Sequence, residues 1–247
     1  MNTVAIVQAR MTSTRLPGKV LKPLAGKVVL EHVLSRLSRC QLIDKIVVAT
    51  TTDDDDDTLV DWCGQYGVSC FRGDRDNVLS RFHSCALQLD ADEIVRVTSD
   101  NPLVDSSIVD QTIRLRRTEK ADYAANNLVK TFPHGLDVEV ITFKALEESH
   151  LEAVENYERE HVTQFVRHRE KRYKLVNLSS GEDWHDIRVT LDEDEDKQLI
   201  ELVMRLSGID VDFIGLQALF SEFPSLKRIN ARSKNWHAKY NLREHII

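Results

Sequence analysis

Three short apolar, β-branched runs alternate with helical patterns through the first half of the chain: Thr3–Gln8 (TVAIVQ), Lys45–Thr51 (KIVVATT) and Asp92–Thr98 (DEIVRVT). Runs that are apolar on both faces suit strands of a parallel sheet covered by helices on both sides. Between them, Val29, Val33, Leu34 and Leu37 recur at helical spacing, as do Val78, Leu79, Phe82, Ala86 and Leu89. Ile108, Ile113 and Leu115 mark a weaker helix after the third run. Strand–helix–strand repetition predicts right-handed βαβ units and a three-layer α/β/α, Rossmann-like domain.

The second half breaks this rhythm. Gly135–Thr142 alternates with period two, placing Leu136, Val138 and Val140 on one face and Asp137 and Glu139 on the other. Lys144–His150 and Asn156–Arg169 read as helices, and Tyr173–Leu178 and Asp186–Leu191 as strands. Asp192–Glu195 reads as a D-x-x-E capping box opening a helix with Leu199, Ile200, Val203 and Leu206 on its apolar side. No repeat and no Pro-, Gly- or Ser-rich linker appears. The expectation is one domain over 1–247, with an inserted subregion near 128–180.

Composition removes several classes. The 247 residues suffice for a substantial core. Lys and Arg number 33 against 40 Asp and Glu, a net charge of −7, which argues against a nucleic-acid binder. No window approaches the roughly 18 apolar residues of a membrane span. The N-terminus lacks the basic region and cleavage site of a secretory signal, so a cytoplasmic protein is expected. Cys40, Cys63, Cys70 and Cys85 show no C-x-x-C spacing and read as free thiols rather than zinc ligands or disulfides. The basic stretch Lys227–Arg243, with Trp236 and Tyr240, reads as solvated surface with core-facing aromatics.

The segment that carries chemistry follows the first strand: Gln8-Ala9-Arg10-Met11-Thr12-Ser13-Thr14-Arg15-Leu16-Pro17-Gly18-Lys19. In open α/β sheets the ligand crevice lies outside the carboxyl ends of the strands. Arg10, Arg15 and Lys19 there, with three hydroxyl side chains, offer the charge-assisted donors a polyphosphate needs. The loop is neither a Walker A nor a G-x-G-x-x-G fingerprint. Residues alone leave it poised between a phosphate site and an ordinary basic loop.

R-x-x-S-x-R-L-P-G-K after a first strand resembles the signature of the sugar-activating cytidylyltransferases, which make CMP-activated Kdo and sialic acids; the likeness is strongest to the spore-coat polysaccharide SpsF branch. The likeness continues through Phe71-Arg72-Gly73, Asp76–Phe82, Arg96–Leu103, His134–Val140, Glu158–Thr163 and Arg188–Asp192, in order. It implies a nucleotidyltransferase fold of the nucleotide-diphospho-sugar transferase type, with a small inserted dimerisation subregion and a homodimer built through parts of 130–175. It implies Mg²⁺-dependent transfer of CMP from CTP to a sugar acid or related sugar, with release of pyrophosphate, for surface glycan biosynthesis. Arg10, Arg15 and Lys19 would hold the triphosphate, Ser13 would donate to it, and the backbone at Ala9 and Gly18 would approach it. Arg72, Arg81 and Ser99 would border the nucleotide, although Arg81 reads equally as a helix-surface residue. Asp100 and Asp192, at two strand ends, suit Mg²⁺, which needs few protein oxygens; a helix cap also explains Asp192, and Asp186 shares its face. Arg10, Lys19 and Asp100 are the expected catalytic residues. His134, Asp137, Glu139 and His161 would lie at the sugar, with an ion pair to Arg159 or Arg167 as the alternative for the carboxylates. Asp53–Asp57 reads as a solvated acidic helix start.

Two other functions fit parts of the pattern. A glycosyltransferase using a nucleotide sugar would commonly carry a D-x-D, which Ser99-Asp100-Asn101 lacks. A non-catalytic nucleotide-binding subunit would have no need of both metal acids.

Overall fold

The computed structural model describes residues 1–231. Its centre is one seven-stranded sheet. In chain order the strands are β1 (Thr3–Gln8), β4 (Lys45–Thr51), β5 (Ser69–Gly73), β6 (Glu93–Thr98), β7 (Tyr123–Ala125), β8 (Glu139–Thr142) and β9 (Leu175–Asn177). A two-residue hairpin, β2 (Pro23–Leu24) and β3 (Lys27–Val28), stands apart from it. The spatial order is β5-β4-β1-β6-β8-β7-β9. The first four sheet strands are mutually parallel, and β8 runs antiparallel to both β6 and β7.

The alternation seen in the sequence becomes two cores. Ala5 and Val7 of β1 face one, Val4 and Ile6 the other. The first core is closed by α1 (Val29–Leu37), α2 (Asp57–Tyr66), α4 (Ser106–Glu119), α8 (Asp194–Ser207) and α9 (Phe213–Glu222). The second is closed by α3 (Val78–Gln88), α5 (Phe143–Glu152) and α7 (Gln164–Arg167), with α6 (Asn156–Glu160) packed on α3. This is the expected three-layer α/β/α sandwich. All four cysteines are free thiols. No described helix is long and apolar enough to cross a membrane.

Several elements differ from the sequence reading: the strands read over Gly135–Thr142 and Tyr173–Leu178 pair only over Glu139–Thr142 and Leu175–Asn177. The helix expected over 156–169 is broken into α6 and α7 at Val162, whose φ is +59°. The break turns Thr163 inward, where its hydroxyl donates to Glu139 Oε1 at 2.8 Å. Asp186–Leu191 is extended but joins no ladder; a single bridge links Arg188 to His134. Its partners are loop segments instead: His134 N donates to Ile187 O, and Leu191 N to Asp100 O, both at 2.8 Å. The capping box of α8 is Glu193 with Asp196, one residue later than expected, so Asp192 lies just outside the helix. β8 and β9 fall within 128–180 and pair into the main sheet. Of the basic tail, Lys227 and Arg228 lie in a short 3₁₀ turn (Pro224–Arg228), while 232–247, including Trp236 and Tyr240, lie outside the described residues.

Candidate active site

Because β1, β4, β5 and β6 are parallel, the loops that leave them emerge at one edge. The loop after β1 is folded back on itself. Gly18 N donates to Met11 O at 2.9 Å, and Gly18 adopts φ +66°, turning the chain into the 3₁₀ turn Lys19–Leu21. Met11 N in turn donates to Asp56 Oδ1 at 2.6 Å. Asp56 is buried and also accepts from the Thr50 and Thr51 hydroxyls at 2.8 and 2.5 Å. Burial opposes its ionisation, but the Met11 amide and these hydroxyls outweigh it and hold its carboxyl below the usual range. The acidic run is therefore not uniformly solvated. Its fourth member ties the β1 loop to the end of β4, while Asp54 and Asp55 stay exposed. Nothing in five consecutive aspartates singles out that member; only the meeting of the two loops does.

The turn delivers the Lys19 side chain into the protein. Its Nζ donates to Asp100 Oδ2 at 2.8 Å, to Asp192 Oδ1 at 2.9 Å and to the Leu191 carbonyl at 2.9 Å. Arg15, half-exposed, reaches Asp192 Oδ1 at 2.7 Å. Four of the expected residues, Arg15, Lys19, Asp100 and Asp192, thus converge on one point. Burial raises the proton affinity of Asp192, but the Lys19 and Arg15 charges prevail and bring its pKa down to about 2. Burial likewise disfavours the Lys19 ammonium, and the two aspartates reverse that and push its pKa up. Asp186 is elsewhere, paired with Lys227 at 2.7 Å.

Asp192 is seated by residues outside the sequence reading of the site. Arg188 Nη2 donates to Asp192 Oδ2 and to Asp196 Oδ2, each at 2.9 Å. Asp196 Oδ2 accepts from the Asp192 and Glu193 amides at 2.9 and 3.0 Å. Asp196 is therefore the anchor of the whole corner. The E-x-x-D spacing from Glu193 to Asp196 was the available signal, masked by the neighbouring acids.

The nucleotide-side residues fall in two groups. Arg10 is exposed and lies beside Arg81. Arg81 is buried rather than on the helix surface, and its Nη1 donates to Asp74 O at 2.6 Å. Its Nε is buried with no hydrogen-bond partner among the described residues. Burial, with Arg10 next, pushes its pKa down to about 10. Arg72 is instead bound to the acidic run, donating to Thr51 O, Asp53 O and Asp57 Oδ1 at 2.6 to 2.9 Å. Ser13 is half-buried, Ala9 is buried with its amide on Ala49 O, and Ser99 is buried with its amide on Gln8 O.

The sugar-side residues do not form one cluster. His134 Nδ1 meets Asp137 Oδ2 at 2.9 Å, close to the Asp192 segment through the His134–Arg188 bridge. Burial opposes ionisation of Asp137, but His134 holds it well below the carboxylate range. Glu139 is buried among Arg96, Tyr123 (2.6 Å), Thr163 (2.8 Å) and Arg167 (3.4 Å). The ion-pair alternative holds for Arg167. His161 packs edge-on to Tyr157, ring centroids 4.6 Å apart.

The donor set fits a magnesium ion. Asp100 and Asp192 present hard carboxylate oxygens to a single cationic position, and Mg²⁺ takes one or two carboxylates plus waters and phosphate oxygens. Among the described residues no group of three or more His, Cys, Asp or Glu is arranged for a metal held by protein alone.

The cytidylyltransferase family profile matches residues 4–217. An uncharacterized protein of Methanocaldococcus jannaschii is 36% identical over 234 residues, 94% of this chain and 95% of its own length. The spore coat polysaccharide biosynthesis protein SpsF of Bacillus subtilis is 33% identical over 210 residues, 82% and 86% of the two chains. A solved cytidylyltransferase from Leptospira borgpetersenii superposes with a TM-score of 0.86 at 30% identity, covering 92% of this chain and 96% of that one. With the parallel sheet, the basic loop after its first strand and the two aspartates that meet Lys19, these matches place the chain in the cytidylyltransferase family of nucleotidyltransferase enzymes.

Proposed function

We propose that the protein transfers CMP from CTP to a hydroxyl of a sugar acid or related sugar, releasing pyrophosphate, in glycan biosynthesis. The observation that carries this reading is the convergence of Arg15, Lys19, Asp100 and Asp192 at the carboxyl ends of the parallel strands. The SpsF likeness supports the glycan assignment.

In this reaction the acceptor oxygen attacks the α-phosphorus, the bond from that phosphorus to the β-phosphate bridging oxygen breaks, and the acceptor hydroxyl loses its proton. Little covalent chemistry is asked of the protein; positioning and charge neutralisation do the work. Arg10, Arg15 and Lys19 bind the triphosphate and stabilise charge on the departing pyrophosphate. The Ser13 hydroxyl and the backbone turned by Gly18 orient it. Arg81, a buried cation with no carboxylate bound to it among the described residues, fixes the nucleotide end beside Arg10. Asp100 and Asp192 would hold Mg²⁺, which would supply Lewis-acid neutralisation of phosphate charge. His134 and Asp137 border the acceptor, and Glu139 acts at one remove by holding Arg96 and Arg167. The protein works as a homodimer through 130–175, where Leu151 and Val154 are exposed; sedimentation as a monomer at micromolar concentration would remove that assignment.

The test is pyrophosphate release from CTP with Mg²⁺ across a panel of sugar acids and sugars. Wild type releases it with one of them, and Lys19→Ala and Asp100→Ala each lose at least about a hundredfold in turnover. Full activity in both variants sinks the site. Transfer from UDP-glucose without use of CTP selects a glycosyltransferase instead.

A further inference from the structure

Lys19 Nζ has three acceptors within 2.9 Å: Asp100 Oδ2, Asp192 Oδ1 and the Leu191 carbonyl. An ammonium has three N–H donors, so its hydrogen bonding is complete in this position. The Asp192 carboxylate carries three cations, with Arg15 and Lys19 on Oδ1 and Arg188 on Oδ2. Asp100 Oδ1 accepts from the Thr98 hydroxyl at 2.6 Å. The three cations Arg15, Lys19 and Arg188 balance the three acids Asp100, Asp192 and Asp196. A divalent ion held by both Asp100 and Asp192 needs the point that the ammonium occupies, and a charge-balanced cluster offers it no excess negative charge.

We infer that Lys19 is an internal counter-ion that keeps the Asp100–Asp192 pair closed to divalent metal until a polyphosphate draws its ammonium away. The inference rests on the reading of those two aspartates as the metal holders. A triphosphate supplies Lys19 and Arg15 with new anionic oxygens. Arg15 is half-exposed and free to swing, while Lys19 needs only its side chain to turn about the fixed 3₁₀ turn. Once both leave, Asp100 has lost its counter-ion and Asp192 keeps only Arg188, which Asp196 shares, so the pair carries excess negative charge and metal binding becomes favourable. Metal therefore enters with or after the nucleotide. The arrangement also prevents the site from holding a metal ion unproductively, and it makes Lys19 serve twice, first on the aspartates and then on the phosphates.

The test is Mn²⁺ binding without nucleotide, read from loss of the free Mn²⁺ paramagnetic-resonance signal. Lys19→Met, close to lysine in length and uncharged, binds Mn²⁺ about tenfold tighter than wild type or more. The gain disappears in Lys19→Met/Asp192→Asn. Equal Mn²⁺ affinity in wild type and Lys19→Met overturns the inference. A measurement on wild type guards against a misfolded variant: the ¹⁵Nζ ammonium resonance of Lys19 stays unchanged in millimolar Mg²⁺ and moves when CTP is added. Movement with Mg²⁺ alone overturns the inference as well. Failure of the underlying reading has a separate signature, which is full Mn²⁺-supported turnover of CTP by Asp100→Asn and Asp192→Asn.

Discussion

A Cβ added at Gly135 would stand 2.5 Å from the Thr190 amide nitrogen and 2.6 Å from the Val189 carbonyl carbon. Both are backbone atoms, so no rotamer relieves the clash, and the φ of +109° adds strain for any L side chain. The close approach serves the site. It presses the His134 segment against residues 187–190, and the same stretch carries Asp192 to Lys19. Gly135→Ala is expected to lower stability by more than about 2 kcal/mol and to weaken CTP binding together with it. Gly18→Ala is the control. Its Cβ would meet only Met11 Cε at 3.5 Å, an ordinary contact, and its φ of +66° is the left-handed region, at roughly 1 kcal/mol for alanine. Urea melts of the two variants rank them, and a Gly135→Ala as mild as Gly18→Ala refutes the argument. The sequence contained Gly135 within a motif, yet its reason is invisible there, because the atoms it must avoid are more than fifty positions away along the chain.

At the scale of elements, the buried Glu139 pins four pieces of structure that the sequence presents separately. It receives Arg96 from β6, Tyr123 from β7 and Arg167 from α7, while its own backbone lies in β8. Thr163, at the break between α6 and α7, donates to it as well. Burial opposes its charge, and Arg96 and Arg167 more than restore it, holding the carboxyl below its usual range. Glu139→Gln leaves two guanidinium groups facing a neutral amide, and removing one partner of a buried pair costs roughly 3 kcal/mol or more. Thermal melts should show that loss, and restoration of much of it by the added change Arg96→Met, which removes one of the stranded charges. No rescue would show that Glu139 matters by its shape alone. This part of the chain was the least legible. β1 and β4 have the bounds read from the sequence, because buried parallel strands announce themselves as unbroken apolar runs. β7 is only Tyr123–Ala125, too short for any period, and exists through pairing with β8 and β9. The α6–α7 break depends on Val162 accepting a positive φ, which its residue type argues against. The basic loop and the acids Asp100 and Asp192 were legible as a set. Arg188, Asp196 and Asp56 were not, since each acts by holding another residue through contacts between distant segments.

For the whole molecule, these polar corners mean that the fold is assembled around carboxylates that must stay ionised. Burial acts against ionisation of Asp56, Asp137, Glu139 and Asp192, and in each case hydrogen bonds or cations overcome it and lower the pKa, to about 2 for Asp192. In the unfolded chain the same groups return to ordinary values near 4. Below that range the unfolded state binds more protons than the native one, so stability falls with pH. The contribution is fully present above the ordinary carboxylate values and is lost as pH drops from about 5 toward about 2. Asp192 alone accounts for something on the order of 2 kcal/mol across that window. Lys19 acts with the opposite sign: its raised pKa contributes stability below its ordinary value of 10.5, which is lost only as pH climbs past the folded value. Neutral pH therefore lies on a plateau, bounded steeply on the acid side. Denaturant midpoints measured from pH 7 down to about pH 3 should decline with a slope of more than one proton. Asp192→Asn should start lower at pH 7 and decline less steeply, by close to one proton at the acid end. A variant slope equal to that of wild type would mean that Asp192 titrates normally in the fold, and that Lys19 and Arg15 do not hold it as their distances indicate.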